Sequence, residues 1–234
     1  MLGYPETALA SIAESLSMAE RIAHPFTLSL ALAFCAVLHL NRREPEQALS
    51  VVEAVEALVA EQRLSLPLDL GIVHGAALVG QGGAEEAIAR IREGVTKSAG
   101  LGRPYGLAFL AEEYTWRGDR AAALAALREG LDIARTTGEH GWDAELHRLA
   151  GTVLLAENKL SESEASLQQA IRIAQAQQAK SLELRAVRDL ARLWGAQGRR
   201  TEARDLVAPV YGWFTEGFDT ADLKEAKALL DQLA

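Results

Sequence analysis

The chain has little of the chemistry that marks disulfide-bonded, secreted or membrane-spanning proteins. Cys35 is the single cysteine among 234 residues, so no internal disulfide can form. No apolar run reaches the roughly 18 residues that a membrane span needs. The first residues lack the basic segment and apolar core of a signal peptide. We therefore expect a cytoplasmic protein with no membrane partner.

Aromatic residues and positive charge are also scarce. Aromatics make up 6% of the chain, and 24 Lys and Arg face 32 Asp and Glu, which leaves a net charge of −8. An acidic chain repels a phosphate backbone, so we expect no nucleic-acid partner. The hydrophobic fraction is 49% and is dominated by Ala and Leu, which are strong helix formers. This composition predicts an all-α protein.

A short pattern recurs six times along the chain. Each copy has a turn residue, a small residue five positions later and an apolar residue four positions after that. The turn residues are Gly3, Arg43, Gly82, Gly118, Asn158 and Gly198, and the small residues are Ala8, Ala48, Ala87, Ala123, Ser163 and Ala203. The small residues lie 36 to 40 positions apart, which is typical of stacked helical repeats. The pattern predicts an α-solenoid of antiparallel helix hairpins with a period of about 40 residues.

Each repeat is expected to contain an A helix before the turn residue and a B helix after it. The predicted helices cover 5–22, 25–41, 45–62, 67–81, 84–99, 104–117, 120–137, 141–157, 161–178, 180–197, 201–215 and 219–233. Gly or Asn fits the left-handed turn that ends an A helix. Arg43 would be strained there, so we expect a different turn at that position. Ser161 and Glu164 have the spacing of a capping box.

The two ends of the chain are predicted to differ. Residues 1–218 form the array, which opens with a B helix that lacks an A partner. A half-repeat exposes apolar surface, so we expect either the C-terminal piece of a longer protein or self-association through the first helix. Residues 219–234 are predicted to form a capping helix that begins at Asp219, with Asp222 facing water. The residues expected to cover the last repeat are Leu223, Ala226, Leu229, Leu230 and Leu233.

The small residues and glycine turns resemble the tetratricopeptide repeat (TPR) from Gly3 to about Tyr211. This resemblance implies a right-handed superhelix whose A helices line a concave groove. The segments AKSLELRA at 179–186, EARDL at 202–206 and PVYGWFTEGFDTADL at 209–223 are more specific. They resemble the C-terminal end of bacterial signalling proteins that join a class III nucleotide cyclase, an ATPase module and a TPR tail. That resemblance implies an interaction or sensing module without cyclase or ATPase residues.

No catalytic or metal-binding constellation has a recognisable spacing. The Gly-rich segment 80–83 lacks the Lys and Ser/Thr of a phosphate loop, so it predicts a turn. His140 and His147 lie seven apart without the carboxylate motif of a zinc protease. Glu112 and Glu113 point about 100° apart on a helix, and we expect both to be solvated. The sequence therefore predicts no enzyme, no cofactor and no metal.

Three arginines on the fifth A helix, spaced three and then four apart, share one helix face. This face could clamp the carboxylate of a peptide in the groove. The alternative is that Arg185 pairs with Asp189 and the others face solvent. Two residues of the fourth A helix are open to the same interpretations. The candidate partner-binding residues are Arg185, Arg188, Arg192, Glu145 and Arg148.

The leading hypothesis is a non-catalytic scaffold that binds a protein, a peptide or the neighbouring domains of a longer chain. The alternative is a small-molecule or peptide sensor that controls an attached ATPase, cyclase or transcription activator. A sensor requires a pocket between the A helices, whereas a scaffold requires only an accessible face.

Overall fold

The computed structural model describes residues 1–97 and 102–234, and the regular elements within these ranges are helical. The helices are α1 (Pro5–Ile22), α2 (Pro25–Asn41), α3 (Pro45–Gln62), α4 (Leu70–Leu78), α5 (Ala84–Lys97), α6 (Arg103–Trp116), α7 (Arg120–Thr137), α8 (Asp143–Ala156), α9 (Leu160–Ala176), α10 (Lys180–Ala196), α11 (Arg200–Tyr211) and α12 (Ala221–Leu233). A 3₁₀ turn, His140–Trp142, precedes α8. The predicted all-α class is confirmed.

The helices pack as a series of hairpins. The closest pairs are α2 with α3, α4 with α5, α6 with α7, α8 with α9, and α10 with α11. Each even-numbered helix from α2 to α10 also contacts the next even-numbered helix, and no comparable contact joins the odd-numbered helices in the described ranges. The even-numbered A helices therefore form the inner layer of a curved array. This arrangement confirms the predicted α-solenoid, and α12 packs on α10 and α11 at its end.

The six predicted turn residues all adopt positive φ. The angles are 101° at Gly3, 62° at Arg43, 88° at Gly82, 79° at Gly118, 61° at Asn158 and 83° at Gly198. A left-handed conformation costs an L-residue roughly 1–2 kcal/mol, yet Arg43 adopts the same turn as the glycines. The expectation of a different turn at Arg43 is therefore wrong. Its guanidinium forms ion pairs with Asp222 and Glu225, which help to hold this conformation.

Several helix ends differ from the predicted ones, because the prediction placed the capping residues at the wrong positions. Helix α4 begins at Leu70 and not at residue 67 as predicted. Asp69 caps this start, because its side chain accepts a hydrogen bond from the backbone N–H of Ile72. The predicted capping box is wrong, since α9 begins at Leu160 with no side-chain cap. Helix α11 ends at Tyr211 rather than at 215. The predicted end of the fifth helix at residue 99 lies outside the described residues.

The last helix covers the preceding repeat through its apolar face. Four of its five predicted core residues are buried, and Leu230 is half-buried. The helix begins at Ala221 after Thr220, so the prediction that it begins at Asp219 is wrong. Asp222 does not face water, because it pairs with arginines from α10 and from the turn after α2.

The N-terminal segment contacts the last repeat, so the array closes on itself. The carbonyl of Met1 accepts a hydrogen bond of 3.0 Å from the backbone of Ser181. The Glu216 carboxylate accepts hydrogen bonds from the backbone N–H groups of Glu6 and Thr7 at 2.9 and 3.0 Å. The sequence predicted that α1 would be uncovered. These contacts show that its first residues are in fact covered by the last repeat. Met18 and Ile22 at its other end are exposed, and self-association through this helix stays a prediction.

None of the described helices combines the length and the apolar character needed to cross a bilayer.

Close helix packing requires glycine at Gly94 in α5. A Cβ atom there would lie 2.6 Å from Cγ1 of Ile72 and 2.7 Å from Oδ1 of Asp69, the residue that caps α4. The neighbouring hairpin helix can approach because this Cβ is missing.

We expect Gly94→Ala to lower the free energy of unfolding by about 1–3 kcal/mol, because the added methyl group overpacks the α4–α5 contact. Gly141→Ala is the control, since a Cβ at Gly141 meets nothing within 4 Å. It should change stability by no more than about 0.5 kcal/mol. Urea unfolding followed by circular dichroism measures both. Equal stability of the two variants would contradict the packing argument.

Candidate functional site

The inner layer of helices surrounds a cavity of about 360 Å³, which we call the central cavity. Helices α2, α4, α6, α8, α10 and α12 and the turn after α2 all contribute to its wall. The apolar part of the wall includes Leu40, Ala76, Val79, Ala108, Phe109 and Trp142. The charged part includes Arg43, Glu112, Glu145, Arg148, Arg185 and Asp222. Apolar and charged surfaces therefore face one space.

The charged side chains form what we call the arginine–carboxylate network. Its members are Arg43, Arg148, Arg185, Arg188, Arg192, Glu145, Asp189, Asp222 and Glu225. All of the sequence-predicted partner-binding residues belong to it. Charges taken out of water must be paired, because an isolated buried ion carries a large desolvation cost.

All three guanidinium nitrogens of Arg148, on α8, donate hydrogen bonds within the network. Its Nε and Nη2 atoms donate to Glu145 at 2.9 and 2.8 Å. Its Nη1 atom donates to Asp189 of α10 at 2.6 Å. The bidentate pair with Glu145 spans one helical turn, and the bond to Asp189 joins two repeats.

Arg185 of α10 connects the two ends of the array. Its Nε donates to Asp222 of α12 at 2.7 Å, and its Nη2 donates to the backbone carbonyl of Asn41 at 2.8 Å. Its Nη1 lies 3.4 Å from Glu145. The alternative that Arg185 pairs with Asp189 is wrong, because these bonds direct Arg185 to other helices.

Arg188 and Arg192 differ in their burial. The Nε and Nη2 atoms of Arg188 donate to Asp189 at 3.1 Å, and its Nη1 donates to Glu225 at 2.7 Å. Arg192 makes a longer contact of 3.4 Å to Asp189, and 48% of its side chain is exposed. Every guanidinium nitrogen of Arg148, Arg185 and Arg188 thus already donates a hydrogen bond. The internal carboxylates already balance these charges, so a ligand carboxylate would gain less attraction from these three residues than from an unpaired arginine.

The sequence analysis missed Asp222 and Glu225 as members of the site. Asp222 follows Arg185 by 37 positions, and Glu225 follows Arg188 by the same 37 positions. This offset is close to one repeat period, so it places each pair on adjacent inner helices. Opposite charges one period apart are the signal that would have found both residues.

Nearby arginines control the ionisation of the buried carboxylates. Burial disfavours the charged form of Glu145, but the positive charges of Arg148 and Arg185 outweigh it and lower its pKa to about 2. Burial also opposes ionisation of Asp189, whose pKa is lowered by Arg148 and Arg188. Both residues therefore stay ionised across the physiological range.

Glu112 of α6 stands apart from the network. Its carboxylate lies 3.7 Å from Nη2 of Arg148, beyond hydrogen-bonding distance, and 33% of its side chain is exposed. Burial raises its pKa, and the charge of Glu145 raises it further. Glu113, its neighbour, is buried and accepts a hydrogen bond of 3.1 Å from the backbone of Gly80. The expectation that both glutamates are solvated is wrong.

The other sequence candidates are accounted for by local structure. The Gly-rich segment forms a turn in which Gly80 and Gly82 have positive φ. His140 pairs with Asp143 at 2.8 Å. In residues 1–97 and 102–234, no group of three or more His, Cys, Asp or Glu side chains could hold a metal ion.

No family model and no curated protein sequence matches this chain. Solved structures do match its fold. NprR in complex with its cognate peptide NprX superposes with a TM-score of 0.70 at 15% identity, over 97% of this chain and 65% of NprR. A Rap protein complexed with Competence and Sporulation Factor gives a TM-score of 0.69 at 13% identity, over 89% of this chain and 64% of Rap.

A third match is the STAND (signal transduction ATPase with numerous domains) protein PH0952 from Pyrococcus horikoshii, which has a TPR sensor. Its TM-score is 0.60 at 10% identity, over 97% of this chain and 37% of that protein. The chain thus spans about 65% of NprR and a smaller share of PH0952. At these identities the matches establish the fold, which is a TPR-like α-solenoid.

We expect Arg185→Leu to lower the free energy of unfolding by about 2–3 kcal/mol, because it removes the hydrogen bonds that Arg185 donates to the buried Asp222 carboxylate and to the carbonyl of Asn41. Arg192→Leu is the matched control and should cost less than about 1 kcal/mol, since exposed ion pairs contribute little. Denaturant titration of both variants measures the difference. Similar losses in the two variants would show that burial does not set the strength of these pairs.

The lowered pKa of Glu145 predicts that the free energy of unfolding decreases at acidic pH. Its ion pairs stabilise the fold above the ordinary glutamate pKa of 4.5, and this contribution is lost as the pH falls towards about 2. Glu145→Gln lacks the contribution at every pH. The stability gap between wild type and Glu145→Gln should therefore shrink from about pH 6 to about pH 3 in denaturant titrations. Parallel pH profiles would contradict the assigned shift.

Proposed function

We propose that this chain is a non-catalytic regulatory binding module, and that it binds a peptide segment in the central cavity. The observation that carries the proposal is the cavity itself, where an apolar wall and a charged wall face one space of about 360 Å³. Ligand pockets in proteins range from about 300 to 1,000 Å³ and combine apolar lining with a few polar groups. The central cavity has both properties.

Closure of the array favours a narrow ligand. The bonds from Arg185 to Asn41 and Asp222, together with those from Arg43 to α12, tie the first inner helix to the last one. A folded domain therefore has little access to the inner face, whereas an extended segment or a few side chains can enter it. NprR bound to its cognate peptide and Rap bound to Competence and Sporulation Factor have the same fold, which supports a peptide ligand.

We further propose that the chain is the C-terminal sensor of a larger bacterial signalling protein that carries an ATPase or cyclase module. The resemblance of segments between 179 and 223 to such proteins supports this placement. The match to a STAND protein with a TPR sensor gives further support. In such an assembly the module regulates an attached enzyme, and its own residues perform no chemistry.

A small-molecule ligand is the second candidate. The cavity volume of about 360 Å³ lies at the lower end of the range for ligand pockets, which suits a metabolite as well as two or three peptide side chains. Screening metabolites by thermal shift separates the two candidates, because only a small-molecule sensor gains stability from a metabolite while selecting no peptide.

A random-peptide display screen tests the peptide proposal. We expect selected peptides to bind the wild-type chain and to lose at least about tenfold in affinity with Ala108→Phe, since the added ring fills the cavity. Ala125→Phe on the exposed face of α7 is the matched control and should bind as the wild type does. Circular dichroism confirms that each variant folds.

Two results would contradict the peptide proposal. One is a screen that selects no peptide against the wild-type chain. The other is a set of peptides that binds Ala108→Phe as tightly as the wild type, which would move the binding surface away from the central cavity.

A further inference from the structure

The charged groups that line the central cavity differ in how many hydrogen bonds they already make within the protein. In Arg148, Arg185 and Arg188, every guanidinium nitrogen already donates to a carboxylate or a backbone carbonyl. In Glu145 and Asp189, every carboxylate oxygen accepts from one of these arginines. These internal pairs balance the charges, so a ligand gains less attraction from them than from an ion without a hydrogen-bonded partner.

Glu112 is the acidic exception on this wall. Its nearest cation is Arg148, whose three nitrogens donate instead to Glu145 and Asp189. Glu112 therefore gains attraction from Arg148 without a hydrogen bond. Because a third of the Glu112 side chain is exposed, its carboxylate can accept a ligand donor without loss of an internal hydrogen bond. Partial burial makes pairing with a cation more valuable there than it would be in water.

The surroundings of Glu112 are apolar and aromatic. Phe109 lies three residues before it and Trp116 four residues after it, which places all three on one face of α6. Phe109, Trp116 and Trp142 all line the central cavity. Aromatic faces attract cations as well as apolar groups. The wall around Glu112 thus suits a positive charge attached to a bulky apolar body.

We propose that the central cavity selects a ligand with a positive charge beside a bulky apolar group, and that Glu112 receives this charge. In a peptide ligand the group is a Lys or Arg side chain next to a large apolar residue. This inference rests on the proposed binding function and specifies its ligand. It reverses the polarity that the sequence suggested, since an arginine clamp would select a carboxylate.

Three probes with the same carbon skeleton test the proposal directly: phenylbutylamine, phenylbutanol and phenylbutyrate. We expect the amine to bind the wild-type chain at least about tenfold more tightly than the alcohol or the acid, because it alone carries a positive charge that pairs with Glu112. Chemical-shift titration of the full chain measures all three affinities. Equal binding of amine and alcohol, or preference for the acid, would overturn the proposal.

Glu112→Gln should remove the amine preference and leave the affinity for phenylbutanol within about twofold of wild type. Glu53→Gln, an exposed residue of α3, is the matched control and should keep the preference. The glutamine keeps the shape of the side chain, so a retained amine preference in Glu112→Gln would refute the role of Glu112.

Peptide display separates this inference from the proposed function. Peptides selected against the wild-type chain should be enriched in Lys or Arg, and peptides selected against Glu112→Gln should lose that enrichment. Selected peptides rich in Asp or Glu would overturn the inference while the binding function stands. A screen without any selected peptide contradicts the proposed function, and the amine series then decides on the ligand polarity by itself.

Discussion

Pairing of buried charge is the constraint on which the closed array depends. Arg148, Arg185 and Arg188 are buried in the inner layer, so internal partners must replace water around their charges. Their partners come from the same helix, from the next repeat and from the opposite end of the chain. Removing one partner strands a charge, so the network favours a single arrangement of the inner helices. The helix hairpins themselves need only apolar contacts between neighbours.

This constraint also determines which groups on the inner surface remain available to contact a ligand. An arginine that already holds two carboxylates is a structural group, even though its position in the groove suggests a binding group. The chemistry that remains open is the apolar wall, the aromatic rings and the carboxylate of Glu112. In the binding function proposed above, the selectivity of the cavity is set by Glu112, which accepts no hydrogen bond from the network.

Local sequence patterns predicted the repeated parts of the fold and missed the long-range parts. The left-handed turns at Gly82, Gly118 and Gly198 follow from backbone sterics, and the buried Ala48 and Ala203 follow from helix spacing. The closure of the array depends on its accumulated curvature, which small changes at every hairpin alter. No local pattern encodes that sum, so the contacts of Arg43 with α12 and of Arg185 with Asn41 were not predictable from the sequence.

The left-handed turn at Arg43 has an evolutionary consequence. Repeat proteins commonly diversify by duplication or deletion of whole units, since each unit touches only its neighbours. Here the side chain of Arg43, after the first inner helix, meets Asp222 and Glu225 on the last one. An added or deleted hairpin would rotate these residues out of reach of each other. A change in the number of hairpins between Arg43 and α12 would therefore cost the chain both ion pairs.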